Sequence, residues 1–484
     1  MSTRHPLELD GPTLRHLVNA VLDALIPWLD AQDTLPVSRV AGGSKRAKAV
    51  RRTLPESGIG WRRALSTLVH EVLPKSLNTT SPGYLAYIPG GGLPHAAVAD
   101  LFADLTNRYV GLWMPAPALV QLEIDVLRWF CSLIGYPEGS GGLLTTGGSL
   151  ANLAAVVAAR RRHLPEDFLD GVIYTSAQAH HSVAKAAYVA GFSERNLRVI
   201  PTDAAFRLDP GALVAAVEAD RAAGLRPFFV AANGGSTAAG AVDDLAALAD
   251  CCAAHHLWLH VDAAYGGFFL LTERGRAVLT GIDRADSVTL DPHKGLFLPY
   301  GTGAIVVRRL DDLRRAHAVH ANYLPPSQTA ADQWDFADLG PELSRDARGL
   351  RVWLPVMMHG TRAFTDQLDE KLDLAHAAAA AIFALPNVRP VSRCVLSLFS
   401  FRWEPPGSTD PDADTRRLLH RINQRQRVFL TGATFHDPAV GRSVFAIRVC
   451  VLSFRTHADR IAMLCEDVAA ALAALDPLGA DDRA

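Results

Sequence analysis

Apolar positions along the chain follow two different rhythms. Near the start, Leu14, Leu17, Val18, Val21, Leu22, Leu25 and Ile26 recur at the spacing of one helical face. The polar stretch Gly42-Gly43-Ser44-Lys45-Arg46 then breaks the pattern. A helix face this apolar needs a surface to cover it, either the main body of the chain or a second copy. Between residues 85 and 355 the rhythm changes to short apolar runs separated by helical patterns. Residues 172–175, 228–232, 258–262, 287–290 and 304–307 are such runs, and 142–146 enters a glycine turn and a helix. This alternation predicts an α/β fold with a mostly parallel, buried sheet. Beyond 355, long helical patterns alternate with strand candidates at 395–401 and 443–454, and Pro405-Pro406-Gly407 reads as a loop. The expected organisation is a helical segment over 1–84, a large α/β domain over 85–355 and a small α+β domain over 356–484. Residues 479–484 are expected to fray.

At 484 residues the chain exceeds the roughly 250–300 that one core supports, in keeping with more than one domain. A net charge of −2 gives no basic field for nucleic acid, so no such partner is expected. The polar first twelve residues lack a signal-peptide core. The most apolar stretch, 257–271, is interrupted by His260 and Asp262, so no membrane span is expected. Six cysteines contain no CxxC pair, and Cys251 and Cys252 fall in an alanine-rich helical pattern that reads as packing. No metal site is expected, and the cysteine usage fits a reducing cytoplasm.

Four segments carry candidate chemistry, each after a predicted strand. Thr145-Thr146-Gly147-Gly148-Ser149-Leu150-Ala151-Asn152 runs from strand through two glycines into a helix. Glycines admit an anion close to the backbone, and the helix N-terminus turns free N–H groups toward it. An ordinary turn with Ser149 as helix cap has the same appearance. Gln178-Ala179-His180-His181-Ser182 offers an imidazole to stack on a flat ring or move protons, or merely to cap a helix. His260-Val261-Asp262-Ala263-Ala264-Tyr265-Gly266 ends a strand in an aspartate able to hold a protonated ring nitrogen, or to cap the next turn. Asp291-Pro292-His293-Lys294-Gly295 places a lysine where burial beside a second cation would lower its pKa and ready it for imine formation. Taken alone, such a lysine is usually a solvated loop residue. Together, the anion site, ring face, nitrogen partner and amine are the parts that pyridoxal 5′-phosphate (PLP) requires.

Over residues 80–460 the sequence resembles the group II PLP-dependent amino-acid decarboxylases, the aromatic-amino-acid and glutamate decarboxylase family. Tyr87-Ile88-Pro89-Gly90-Gly91-Gly92, Thr146 to Asn152, Ala179-His180, Gly235-Ser236-Thr237, His260 to Tyr265 and Asp291 to Lys294 carry the resemblance. It implies an aspartate-aminotransferase-like fold and an intertwined homodimer with active sites at the subunit interface. Lys294 matches the Schiff-base lysine, Asp262 the partner of the pyridine nitrogen and His180 the ring-stacking histidine. Gly148 and Ser149 match the phosphate cradle, and His293 the histidine beside the lysine. Ser236 and Thr237 fall where the family places a cofactor-contacting hydroxyl, and Ala264 falls in the matching aspartate motif. Tyr87 and Pro89 match a substrate-pocket segment, with Trp113 a second wall. Tyr323 resembles the loop tyrosine contributed by the partner subunit, on a flap at about 318–335 containing Pro325-Pro326. A phenol there protonates the substrate carbon after CO₂ loss, and relatives with phenylalanine instead become oxidative aldehyde synthases. Two departures leave the substrate open: Asp291 stands where aromatic decarboxylases often have asparagine, and Gly90-Gly91-Gly92 where animal relatives are bulkier. The implied activity is decarboxylation of an L-amino acid, aromatic favoured. Oxidative deamination, transamination and a non-catalytic PLP-binding role are the alternatives.

Overall fold

The computed structural model describes residues 5, 7–51, 53–319, 332–437 and 441–475. Seven strands form the large sheet: β1 (Gly141–Thr145), β2 (Gly171–Ser176), β3 (Leu197–Ile200), β4 (Arg226–Asn233), β5 (Trp258–Asp262), β6 (Ser287–Leu290) and β7 (Gly303–Val307). Their order is β1-β7-β6-β5-β4-β2-β3. Only β7 pairs antiparallel with its neighbours, so the other six strands share one direction. β1, β2, β5, β6 and β7 are buried along their whole length, which explains their largely apolar make-up. The α/β fold with a mostly parallel sheet is therefore as the sequence predicts.

Helix Gly148–His163 lies across this sheet. Its buried face is built from Ala151, Ala154, Ala155, Ala158 and Ala159, small side chains that let a helix approach a sheet closely. Arg160, Arg161, Arg162 and His163 end it, with the sign that favours a helix C-terminus. Helix Gly349–Phe383 is kinked at Gly360, whose φ of 69° suits glycine. It packs on helices Pro94–Thr106 and Pro117–Ile134 and also on Ala458–Leu475.

A second, antiparallel sheet runs β10-β11-β9-β8, from β8 (Val388–Ser392), β9 (Leu398–Trp403), β10 (Thr431–Asp437) and β11 (Arg442–Cys450). It packs with helices Pro411–Gln424 and Ala458–Leu475 around its own core, which includes Phe399, Phe401, Leu418 and Leu464. Helix Gly11–Asp30 forms where the spacing predicts it, yet buries none of its residues. Among the described residues, no helix is long and apolar enough to cross a membrane.

Candidate active site

The carboxyl ends of the co-directional strands converge, and there the candidate residues meet. A cavity of about 480 Å³ is lined by Gly147, Gly148 and Ser149 after β1, His180 after β2, and Ser236 and Thr237 after β4. Asp262 and Ala264 line it from the end of β5, and Asp291, His293 and Lys294 from beyond β6. This is the crevice in which open α/β sheets hold ligands.

The lysine turn is short. β6 ends at Leu290, the four-residue helix Pro292–Gly295 comes next, and the chain returns as β7. Lys294 Nζ sits 2.8 Å from Asp291 Oδ2. Burial acts to lower the lysine's pKa, but the Asp291 and Asp262 carboxylates outweigh it, and the ammonium form is favoured beyond the ordinary lysine value. The expectation of a lowered pKa is thus reversed, because the nearest charge is a carboxylate and not a cation. His293 donates from Nδ1 to Thr302 O at 2.6 Å, leaving Nε2 3.6 Å from Asp291 Oδ2. Burial pushes this imidazole toward its neutral form, with Asp291 pulling the other way.

His180 caps helix His181–Val189 and also lines the cavity. Its Nδ1 accepts the Ser182 N–H at 3.3 Å and lies 2.7 Å from Ser182 Oγ. Burial lowers its pKa against the pull of Asp262, so the neutral ring is favoured. Asp262 accepts from Asn152 Nδ2 at 2.9 Å and from the Ala264 N–H at 3.2 Å.

These parts suit the group implied by the sequence. The first N–H groups of helix Gly148–His163 have no partner within the helix and are free for an anion. A Cβ on Gly148 would lie 3.1 Å from Asp291 Oδ2 and 3.3 Å from the Ala264 methyl, so a side chain would crowd the cradle. Gly303 is more constrained: a Cβ would stand 2.5 Å from Gly147 Cα, and its absence lets β7 back the glycine turn. Ser149, Ser236 and Thr237 add hydroxyls, and Asp262 and Lys294 supply the anion and the amine.

Asp291 is the odd member. Its Oδ1 is buried without a hydrogen-bond partner, and Oδ2 holds Lys294. A carboxylate within several ångström of a bound phosphate costs ~1–3 kcal/mol at an effective dielectric near 20. Asp291→Asn should therefore speed PLP uptake and tighten its binding about tenfold at neutral pH. Stopped-flow absorbance and fluorescence titration measure both quantities, and weaker binding would show that the carboxylate assists the cofactor.

Tyr87, Pro89 and Trp113 are not among the residues lining this cavity. Tyr87 is 57% exposed with a φ of 54°, and Pro89 is buried. Trp113 packs on the main core, with its backbone N–H donated to Asp335 at 2.7 Å. Gly90 does press on the lysine turn, where a Cβ would meet His293 O at 2.1 Å. Tyr323 lies outside the described residues. Trp334, at the far end of the expected flap, is buried and belongs to the core. Sequence reasoning overlooked Lys185, which lines the cavity. It gave no role to Ser182, at the end of the histidine segment, or to Thr289 on β6.

Comparison with known proteins identifies the family. The pyridoxal-dependent decarboxylase conserved domain matches residues 51–404. An aromatic-L-amino-acid decarboxylase of Bacillus atrophaeus is 33% identical over 94% of this chain and 94% of its own length. A phenylacetaldehyde synthase of Arabidopsis thaliana is 28% identical over 87% of this chain and 89% of its own. The crystal structure of Oryza sativa TDC with PLP and tryptamine superposes with a TM-score of 0.90, at 25% identity, over 98% of this chain and 100% of that one. A carboxylate and an amine meet at the end of a parallel sheet, and the domain match spans the strands that bring them there. The chain therefore belongs to the pyridoxal-dependent decarboxylase family and is a PLP-dependent carboxy-lyase.

Proposed function

We propose that the chain decarboxylates an aromatic L-amino acid to the amine and CO₂. The observation that carries this reading is the convergence of Lys294 and Asp262 on one cavity with the glycine turn at Gly147. Bound PLP supplies an electron sink for the pair released when the Cα–carboxylate bond breaks. Asp262 places a fixed negative charge where it favours a protonated ring nitrogen. Lys294 would hold the cofactor through its amine, in a position that the substrate's amine can take over during turnover. His180, neutral and capped, offers a flat face and one N–H. One proton must return to Cα, and the Tyr323 phenol is our proposed donor.

Support for an aromatic substrate comes from the names of the relatives, the Bacillus atrophaeus enzyme above all. The Arabidopsis thaliana synthase keeps a second outcome open, an aldehyde in place of the amine. Purified enzyme with PLP and a panel of L-amino acids, followed for CO₂, amine, aldehyde and peroxide together, decides between them. Equal CO₂ and amine with aromatic substrates is the expected result. Aldehyde with peroxide would move the chain to the oxidative branch.

The working unit we propose is a homodimer in the cytoplasm. Val21, Leu22 and Ile26 on helix Gly11–Asp30 are exposed. Val98, Leu101, Phe102 and Leu105 on helix Pro94–Thr106 are exposed too, as are Met357 and Met358. Apolar exposure on this scale marks an interaction surface. Light scattering should give twice the chain mass, and charged residues at Phe102 and Leu105 should shift it to the monomer and abolish turnover. The six unpaired cysteines accord with a reducing compartment.

A further inference from the structure

We propose that Asn152 is a positioning residue that aims the Asp262 carboxylate at the cofactor and joins it, through Ser182, to His180. The proposal rests on the cofactor reading above and concerns what holds that site in register.

Strand geometry sets the stage. Trp258, His260 and Asp262 alternate along β5 and so share one face. Ser287 and Thr289 share a face of β6, in register with His260 and Asp262. A polar ladder thus runs through two strands whose intervening positions are Leu259, Val261, Val288 and Leu290. Asn152 is 1% exposed, on a helix packed against both strands.

Its amide is saturated. Oδ1 lies 2.7 Å from Thr289 Oγ1 and 3.0 Å from His260 Nε2. Nδ2 donates to Asp262 Oδ2 and to Ser182 Oγ, each at 2.9 Å. Two accepted and two donated bonds are all that an amide makes.

The protons are fixed from the two ends. An ionised carboxylate only accepts, so the NH₂ group must face Asp262. Oδ1 then faces His260, whose Nε2 must carry the proton. Full burial pushes this imidazole down to about 4, so it is neutral and Nδ1 accepts. Ser287 Oγ fills that role at 2.8 Å, and itself accepts the Trp258 indole N–H at 2.8 Å. With the Nε2–H given to Asn152 Oδ1, Ser287 Oγ must donate to Nδ1, and its lone pair takes the indole N–H, which only donates. Beyond Asn152, Ser182 Oγ accepts the Asn152 N–H and, because His180 Nδ1 already accepts the Ser182 backbone N–H, donates its own hydrogen to Nδ1 at 2.7 Å. The neutral His180 ring therefore keeps its proton on Nε2. One directed chain, from Trp258 to His180 with a branch that holds the Asp262 carboxylate, sets the tautomer of the His180 ring. Apolar side chains of equal volume would fill this space at less cost in desolvation, so the ladder specifies an orientation more than it stabilises the fold.

Asn152→Ala and Thr289→Val test the proposal on PLP-loaded enzyme. Asn152→Ala should lower kcat roughly 10- to 100-fold, the usual scale for losing a group that orients another, with KM little changed. In histidine-labelled protein the His260 nitrogens should move from a pure Nε2–H tautomer to a mixture, in the cofactor-free enzyme as well. Thr289→Val keeps volume and removes one donor to Oδ1, so its kcat should fall several-fold, between wild type and Asn152→Ala. If Asn152→Ala does not fold, the valine variant decides the matter. Wild-type kcat with unchanged His260 nitrogens in the variant that folds would overturn the proposal. A wild-type chain that takes up no PLP would instead overturn the cofactor reading beneath it.

Discussion

Replacing Lys294 by alanine should abolish turnover, by a factor on the order of 10³ or more, together with the visible absorbance that PLP gains on binding. Two lysines line the cavity, which makes the test sharp. Lys294 lies deep, its Nζ held at 2.8 Å by Asp291, whereas Lys185 is exposed on helix His181–Val189. Only the first has its ammonium fixed in position by a buried carboxylate. Lys185→Ala should keep the absorbance and most of the activity. Absorbance that survives in Lys294→Ala and vanishes in Lys185→Ala would transfer the role. The ammonium form favoured at Lys294 also implies that PLP uptake by the empty enzyme accelerates as pH rises toward the lysine range, because only the free amine attacks an aldehyde.

Asp262→Asn should leave the fold intact and cut kcat roughly 10²- to 10³-fold, the range for removing one preorganised electrostatic group. The substitution keeps the shape of the side chain. Asn152 Nδ2 and the Ala264 N–H donate to separate carboxylate oxygens, so the amide oxygen keeps one of these two bonds. Also lost is the charge at the end of β5, and with it the bias toward a protonated ring nitrogen. PLP affinity should change far less than kcat, since Lys294 and the glycine turn remain. Equal losses in both would mean that Asp262 serves cofactor binding and not the chemistry.

The central strands were legible because burial on both faces favours a nearly unbroken apolar run, as at Gly303–Val307. The three strands that the sequence did not reveal, β3, β8 and β10, are all sheet edges. There Arg198, Arg389 and His436 interrupt the pattern, since one side of an edge strand meets water or ion-pair partners. Lys294, Asp262 and His180 were legible because each comes directly after a strand or at its end. The charge around Lys294 was not, because it depends on which way Asp291 turns beside a four-residue helix. Asn152 stood within a recognised motif, but its partners at 182, 260, 262 and 289 are scattered. Only the folded register of β5 against β6 gathers them.

The single reversed strand, β7, has a consequence for how the site assembles. Leu290 and Ala304, which frame the lysine turn, pair across only fourteen residues of chain. The bond from Asn152 to Asp262 closes a span of 110. Loop-closure entropy makes the second contact the dearer by about 2 kcal/mol. The folding chain therefore forms the turn that carries its amine early and completes the frame around the ring-facing carboxylate late. Errors in synthesis or folding that spare the turn can leave a lysine able to meet an aldehyde in a pocket that does not yet steer the reaction.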